Sequence, residues 1–546
     1  VSLTGPAAEI ELHPPAIQSR HYLLLACIVL LAALLRFPGL DSHPPGLFRD
    51  EAEKGYNAWA IAQRHGALSL EPGLFESPPF RFKSWPWMIV VDGSRTSALY
   101  QYFAAPFVSL GGLNVVNTRR PAALAGTLAV VAMGLAALRI WGAAPGLLIA
   151  LWLAISPWHI VFSRWAQQSA FVPLCMALAF TGCWGHEQRR RWGLPLLGAA
   201  LGLLFYDYSG AQPFVLAWGG LLFLWYLRGL KFRSPAPWLG LALFALFVVP
   251  TLVVILGPGG STRLSQVAIW SGPDRNPLHW AAVFVRNYLL HFSPGFLFVH
   301  GDLQPRHAFP GQGAMLWVDA LLLPLGVIGA FRGRLPLRWP LLFALLCGPL
   351  PAAITKESPH ALRAFPQALP AVVFAALGLW LALGWLRARL VAQGQAPRRA
   401  AVTCALLLAL GITLGLNAFA RYWHACDQPL MQLAFQSGMR EAWQRLNAEY
   451  KPGQRIFFSV NFPYAPYFQL YYQRLDPLLV ARKSFPLQNV FYFNPAQVDI
   501  ARIAHHGDWV LTPVHPLEPS LLENSGLSAQ RAMQSGEYWT LLIQNN

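Results

Sequence analysis

Charge is scarce in this chain: Asp, Glu, Lys and Arg make up 12% of its 546 residues, where soluble domains average about 25%. With 55% hydrophobic residues and a mean hydropathy of +0.39, that shortage excludes a large soluble enzyme and marks a polytopic membrane protein. Cysteine is sparse too. Of six, Cys27, Cys175, Cys183, Cys347 and Cys404 lie in or beside apolar runs, only Cys426 falls in a polar segment, and no CxxC pair occurs. This excludes a disulfide framework and a cysteine metal site. Internal repeats, low-complexity tracts and matched broken-helix pairs are also missing, which argues against a transporter. Acidic residues are outnumbered by basic ones, 24 to 41, for a formal charge of +17. The basic residues occupy short loops between apolar runs rather than a separate domain, so nucleic acid is not expected as a partner.

What the chain has in abundance is membrane-length apolar sequence. A span needs about 20 such residues, and candidates lie near 21–38, 121–140, 144–161, 170–186, 193–209, 212–229, 236–257, 314–331, 339–355, 362–386 and 401–420. The first lacks a small-residue cleavage site and reads as a signal anchor. Four loops are distinctly basic: Arg189–Arg191, Arg228 to Arg233, Arg332 to Arg338, and Arg387 to Arg399. Setting these in the cytoplasm predicts about eleven spans, a cytoplasmic amino terminus (1–20), a membrane domain (21–420) and an external carboxyl-terminal domain (421–546). The first external loop is then 38–120. Its apolar run 97–113 is too short to cross and is expected as a juxtamembrane helix. A second large external loop spans 258–313. After residue 420, helical periodicity over Asp427–Tyr450 and short strands at Arg455–Val460, Asp508–Thr512 and Tyr538–Ile543 predict a soluble α/β domain.

The candidate chemistry starts in Phe48-Arg49-Asp50-Glu51-Ala52-Glu53-Lys54, just past the first span. An acid-led cluster beside a bilayer is costly unless it faces water, a partner or a substrate. Asp50 reads either as a cap at a helix start or as a general base at the membrane surface. The loop His300-Gly-Asp302-Leu-Gln-Pro-Arg306-His307 offers a planar cation for a phosphate in Arg306. There His300 and His307 are candidate hydrogen-bond donors and Asp302 a partner for Arg306. His-x-Asp with a later His suggests a metal, but the Pro and Gly between them fix no common face, so none is expected. Lys356, His360 and Arg363 stand at a later external turn, either as phosphate binders or as helix-start capping residues. Arg164, beside Trp165, reads as a phosphate contact or as a snorkelling interfacial residue. Asp207 and Tyr208 are secondary candidates, Asp207 being the acid to consider if Asp50 fails.

The order of signal anchor, long external loop opening with F-R-D-E-A-x-x-x-Y-x-A, juxtamembrane aromatics and many further spans resembles the GT-C glycosyltransferases. The closest group is family 39, with its protein O-mannosyltransferases and lipid A aminoarabinose transferases. The resemblance covers roughly 20–420. It implies a polyprenyl-phosphate sugar donor, a protein, lipid or glycan acceptor, surrounding membrane lipids, no cofactor, and a location in the cell's inner (plasma) membrane. It also implies Asp50 as catalytic base with Glu51 beside it. The chain departs from the pattern in its second external loop, Ser163–Gln168, which lacks the acid often found there. That departure keeps open a second expectation, a non-catalytic membrane scaffold or accessory subunit with the same architecture.

Overall fold

In a computed structural model the described residues are 17–70, 80–91, 94–257, 262–272, 275–459, 465–482, 489–494, 498, 503–505, 507–513, 533–535 and 540–544. Most of the expected segment 1–20 therefore lies outside them. The chain is a multi-pass helical membrane protein. Seven described helices are long and apolar enough to cross a bilayer, and three shorter apolar ones accompany them. Lipid-facing surfaces are plain on the helices Pro235–Leu256 and Pro397–Cys426, where Leu241, Leu246, Val253, Leu406 and Leu410 point outward. Helices pack closely where small residues meet. A Cβ on Gly326 in Asp319–Arg332 would collide with the Phe374 carbonyl of Ala368–Ala392, an approach only small residues allow.

Each expected span has its helix, several broken by Pro or Gly. The run 144–161 divides at Ser156-Pro157, and 339–355 divides at Gly348-Pro349. The segment 97–113 forms a helix at Leu99–Gly111. Its 13 residues extend about 20 Å at 1.5 Å per residue, short of the hydrocarbon core.

The loop 258–313 differs from a plain loop, because Pro277–Leu290 is helical and counts by composition among the possible spans. Its surroundings argue that it does not cross. Shortly before it, Ala268 bridges Thr355. Near its end, Asn287 Nδ2 donates to the Thr355 carbonyl at 2.9 Å, and His291 Nε2 accepts from the His360 amide at 3.1 Å. Both flanks thus sit at one end of the bundle, whereas a span needs its ends on opposite faces.

The first loop holds α1's exit and three further elements in order. Helix α1 is Ser19–Leu34 and α2 is Arg49–Arg64. A small sheet follows, made of β1 (Gly66–Leu70), β2 (Phe80–Ser84), β3 (Met88–Val91) and β4 (Ser94–Ser97). Its order is β2-β1-β3-β4, with β1–β2 and β3–β4 antiparallel. Beyond the bundle, β5 (Ile456–Ser459), β6 (Val490–Phe493), β7 (Trp509–Pro513), β8 (Met533–Ser535) and β9 (Thr540–Gln544) form a sheet in the order β6-β5-β7-β9-β8. Strand β5 is parallel to both of its neighbours, and helices 439–449 and 465–473 lie beside it in sequence. The expected helix over 427–450 is interrupted at Gln436 and Gly438, both at positive φ.

That tail is seated on the first loop. Tyr56 Oη donates to the Leu475 carbonyl at 2.7 Å, Tyr467 Oη to the Leu68 carbonyl at 3.0 Å, and the Arg49 amide to Gln436 Oε1 at 2.8 Å.

Candidate active site

The chain enters α2 through Gly46, at φ +65°, where an added Cβ would stand 2.6 Å from the Phe435 carbonyl oxygen. Only glycine tolerates both the left-handed backbone and that approach. The helix cap is then Phe48, whose amide donates to Glu51 Oε2 at 3.0 Å. Glu51 is fully buried. Its Oε1 accepts from Arg119 Nε (2.8 Å) and the Ala166 amide (2.9 Å), and its Oε2 also accepts from Arg119 Nη2 (2.7 Å). Arg119, equally buried, gives its remaining donors to the carbonyls of Leu40, Pro44 and Gly46 at 2.6–2.9 Å. A bidentate guanidinium–carboxylate pair with every donor used is the arrangement in which burying two charges is sustainable.

This settles the cap question. Glu51 is fully buried, and its oxygens are taken up by these donors. It does the capping, which leaves Asp50, about 100° further round the helix, free of that duty. The Asp50 side chain is 30% exposed, and its Oδ1 stands 3.6 Å from Arg49 Nε. Its Oδ2 accepts from Gln167 Nε2 at 3.2 Å. The segment Ser163–Gln168, where the sequence offers no acid, thus supplies an amide to Asp50.

Arg306 closes one side. Its guanidinium lies 4.2 Å over the Phe48 ring and Nη1 donates to the Ala434 carbonyl at 3.0 Å, while Nε has no hydrogen-bond partner among the described residues. Burial draws its pKa below the ordinary value, and attraction to Asp50 is the leading effect in the other direction. Trp165 is the wall between this opening and the next cluster, edge-on to Phe48 and Phe435 and stacked on His307.

Behind that wall, Asp302, His307 and His360 converge from two loops, all buried. His307 Nδ1 donates to Asp302 Oδ2 at 3.0 Å, and the Ala361 amide donates to the same oxygen at 2.7 Å. Burial alone would raise the Asp302 carboxyl, but the hydrogen bond from His307 holds it below its ordinary range. Burial lowers both imidazoles, and His307 and Arg363 lower His360 further.

Other expected site residues are placed elsewhere. Arg164 is bonded to backbone carbonyls. It is fully buried, donates to the carbonyls of Leu35, Arg36, Pro38 and His43 at 2.7–3.2 Å, and stacks near Trp423. Those bonds terminate α1, the role of a basic group at a helix C-terminus. His300 is exposed, and Asp302 pairs with His307 rather than Arg306. Lys356 is exposed, 3.3 Å from the Gln266 carbonyl. Arg363 donates to Thr355 Oγ1 at 2.9 Å and to Glu357 Oε2 at 3.4 Å. Tyr208 Oη reaches the Leu362 carbonyl at a long 3.5 Å.

Asp207 is buried without a side-chain hydrogen bond among the described residues, and Lys54 supplies opposing charge. Lys54 was not singled out by sequence. It is buried one turn after Asp50, with Nζ 3.3 Å from the Asp50 carbonyl and 3.6 Å from Glu53 Oε2. Glu53 Oε1 in turn accepts from Asn57 (2.8 Å) and Gln101 (3.0 Å). The i, i+4 spacing from Asp50 was the available signal. This network fixes α2 from beneath and ties it to Leu99–Gly111.

Residues 96–254 match the family model described as dolichyl-phosphate-mannose-protein mannosyltransferase. No curated protein matches the sequence significantly. Among solved structures, the chain is similar to ArnT from Cupriavidus metallidurans in the apo state, at 14% identity and TM-score 0.56, covering 97% of this chain and 99% of that one. The same ArnT bound to undecaprenyl phosphate gives 14% and 0.51 over the same shares. The archaeal oligosaccharyltransferase AglB from Archaeoglobus fulgidus, in complex with an inhibitory peptide and a dolichol-phosphate, gives 12% and 0.52, covering 92% of this chain and 70% of that one. The chain shares its fold with these ArnT and AglB structures.

Proposed function

We propose that this protein transfers a sugar from a polyprenyl-phosphate carrier to an acceptor hydroxyl or amine, with Asp50 as general base. One observation carries the reading: Asp50 is released from helix capping by Glu51 and opens, beside Arg306, at the surface end of a GT-C bundle. The solved relatives are described with undecaprenyl phosphate and dolichol-phosphate, carriers whose hydrocarbon chain suits a site at a membrane surface.

In the reaction, Asp50 takes the acceptor's proton as its oxygen or nitrogen attacks the anomeric carbon. The bond from that carbon to the phosphate oxygen breaks, and the electron pair leaves with the carrier phosphate. A single displacement inverts the carbon and needs one base, unlike retaining glycosidases with two carboxylates about 5–5.5 Å apart. Arg306 stabilises charge growing on the phosphate. Gln167 orients Asp50 while adding no second negative charge, which answers the missing acid of the second loop. The positive-inside tendency of the four basic loops supports a cytoplasmic amino terminus in the inner (plasma) membrane, with the site and the carboxyl-terminal domain on the outer face.

Proteoliposomes supplied with radiolabelled polyprenyl-phosphate sugars test the reading: transfer of label supports it, and failure to bind any such carrier removes it. Arg306→Ala should weaken carrier-phosphate binding about 10–100-fold, the loss of a charge-assisted contact worth about 1.5–3 kcal/mol. Gln167→Ala should lower kcat about tenfold or less with the carrier affinity unchanged, since it removes one neutral donor to Asp50. Both are read by initial rates and by carrier titration.

A further inference from the structure

We propose that Asp302, His307 and His360 form a site for a divalent transition-metal ion, a role outside the sugar-transfer chemistry above. Sequence reading paired His300 with Asp302 and found no common face. The fold instead brings in His360 from the loop before Ala368–Ala392. One donor atom from each residue lies within 4.8 Å of the others. Asp302 Oδ2 is 3.0 Å from His307 Nδ1 and 4.0 Å from His360 Nδ1.

Around a tetrahedral ion with bonds of about 2.0–2.2 Å, donor atoms stand about 3.3–3.5 Å apart. Two of the observed separations, 3.0 and 4.0 Å, fall on either side of that range, and the widest, up to 4.8 Å, must close by about an ångström on binding. The side chains are also held as metal ligands are. Asp302 Oδ1 accepts from the Gln304 amide at 2.9 Å and Oδ2 from the Ala361 amide at 2.7 Å. The His307 ring is stacked on Trp165, and the two imidazole centroids are 4.8 Å apart. His360 Nε2 faces Glu357 Oε2 at 3.8 Å, the carboxylate–histidine relation that orients a metal-bound ring. Its Nδ1 accepts only a long 3.3 Å contact from the Arg363 amide, which coordination would displace.

Two imidazoles and one carboxylate select zinc, cobalt, nickel or ferrous iron over magnesium or calcium. Three protein ligands leave a coordination position open. Arg306 and Arg363 both act on His307 and oppose a dication, and the Asp302 carboxylate is the charge that offsets them. Bound there, the ion would staple loop 300–307 to segment 355–363 and so fix Arg306, the neighbour of a ligand. Metal binding is read directly and does not depend on the transferase reading.

The test uses the full-length, tag-free chain in detergent, stripped with chelator and titrated with Co2+ alone. Visible d–d absorption and metal content by mass spectrometry report binding. One Co2+ per chain with a low-coordinate spectrum is expected, lost in His307→Ala and His360→Ala, while Glu357→Gln binds about tenfold more weakly. Size-exclusion elution and melting confirm that each variant is folded. Asp302→Asn, which keeps an acceptor oxygen for His307, replaces any histidine variant that fails this check. Failure of the wild-type chain to take up stoichiometric Co2+, or its undiminished uptake by the folded ligand variants, overturns the assignment.

Discussion

Asp50→Asn should insert, fold and bind the carrier lipid like the parent while kcat falls about 10²–10⁴-fold, the usual contribution of a positioned general base. The carboxamide has nearly the same shape and keeps an oxygen for the Gln167 amide, so the 3.2 Å contact survives. Only proton acceptance is lost. Initial transfer rates alongside carrier titration separate these effects, because a binding defect would move affinity and a base defect would not. Full transfer by the variant excludes Asp50 as the base. Asp50→Glu should retain a small residual rate, since it keeps the carboxylate but displaces it by a methylene, and a misplacement of about 1 Å can cost about 10²-fold.

The second large effect is on stability. Arg119→Met should cost about 3–5 kcal/mol, because it strands the Glu51 carboxylate in a fully buried site without its paired charge. It also removes the donors to three first-loop carbonyls. Thermal unfolding in detergent should show a large drop in melting temperature. Adding Glu51→Leu should recover part of it by removing the unpaired charge. Recovery stays incomplete, since the Leu40, Pro44 and Gly46 carbonyls remain without their donor. If Arg119→Met melts like the parent, the pair is not what holds the first loop against the bundle.

Much of the bundle was legible, since long apolar runs record bilayer thickness. Asp50 was legible as well, as an acid at the start of an amphipathic helix. The division of labour between Asp50 and Glu51 was not. An N-terminal cap usually shows as Ser, Thr, Asp or Asn. Here the cap position is Phe48, so the box closed by Glu51 has no conventional first member. Arg164 misled for a related reason: a cation beside Trp looks interfacial, and only the fold shows α1's carbonyl ends beneath it. The helix Pro277–Leu290 was hidden by His279, Arg286 and Asn287, which interrupt its apolar run. His360 and Asp302 lie on different loops, and no local pattern announces a contact made by folding. The sheet β1–β4 is built from strands of four or five residues, too short for alternation to stand out.

The carboxyl-terminal part is commonly thought of as an appendage to such a bundle, yet here Ala434 and Gln436 are bonded to Arg306 and to the amide beside Asp50. The tail is therefore masonry rather than ornament. Removing that part would leave the Arg306 guanidinium and the Arg49 amide without these acceptors, so the groups around Asp50 depend on it for their setting.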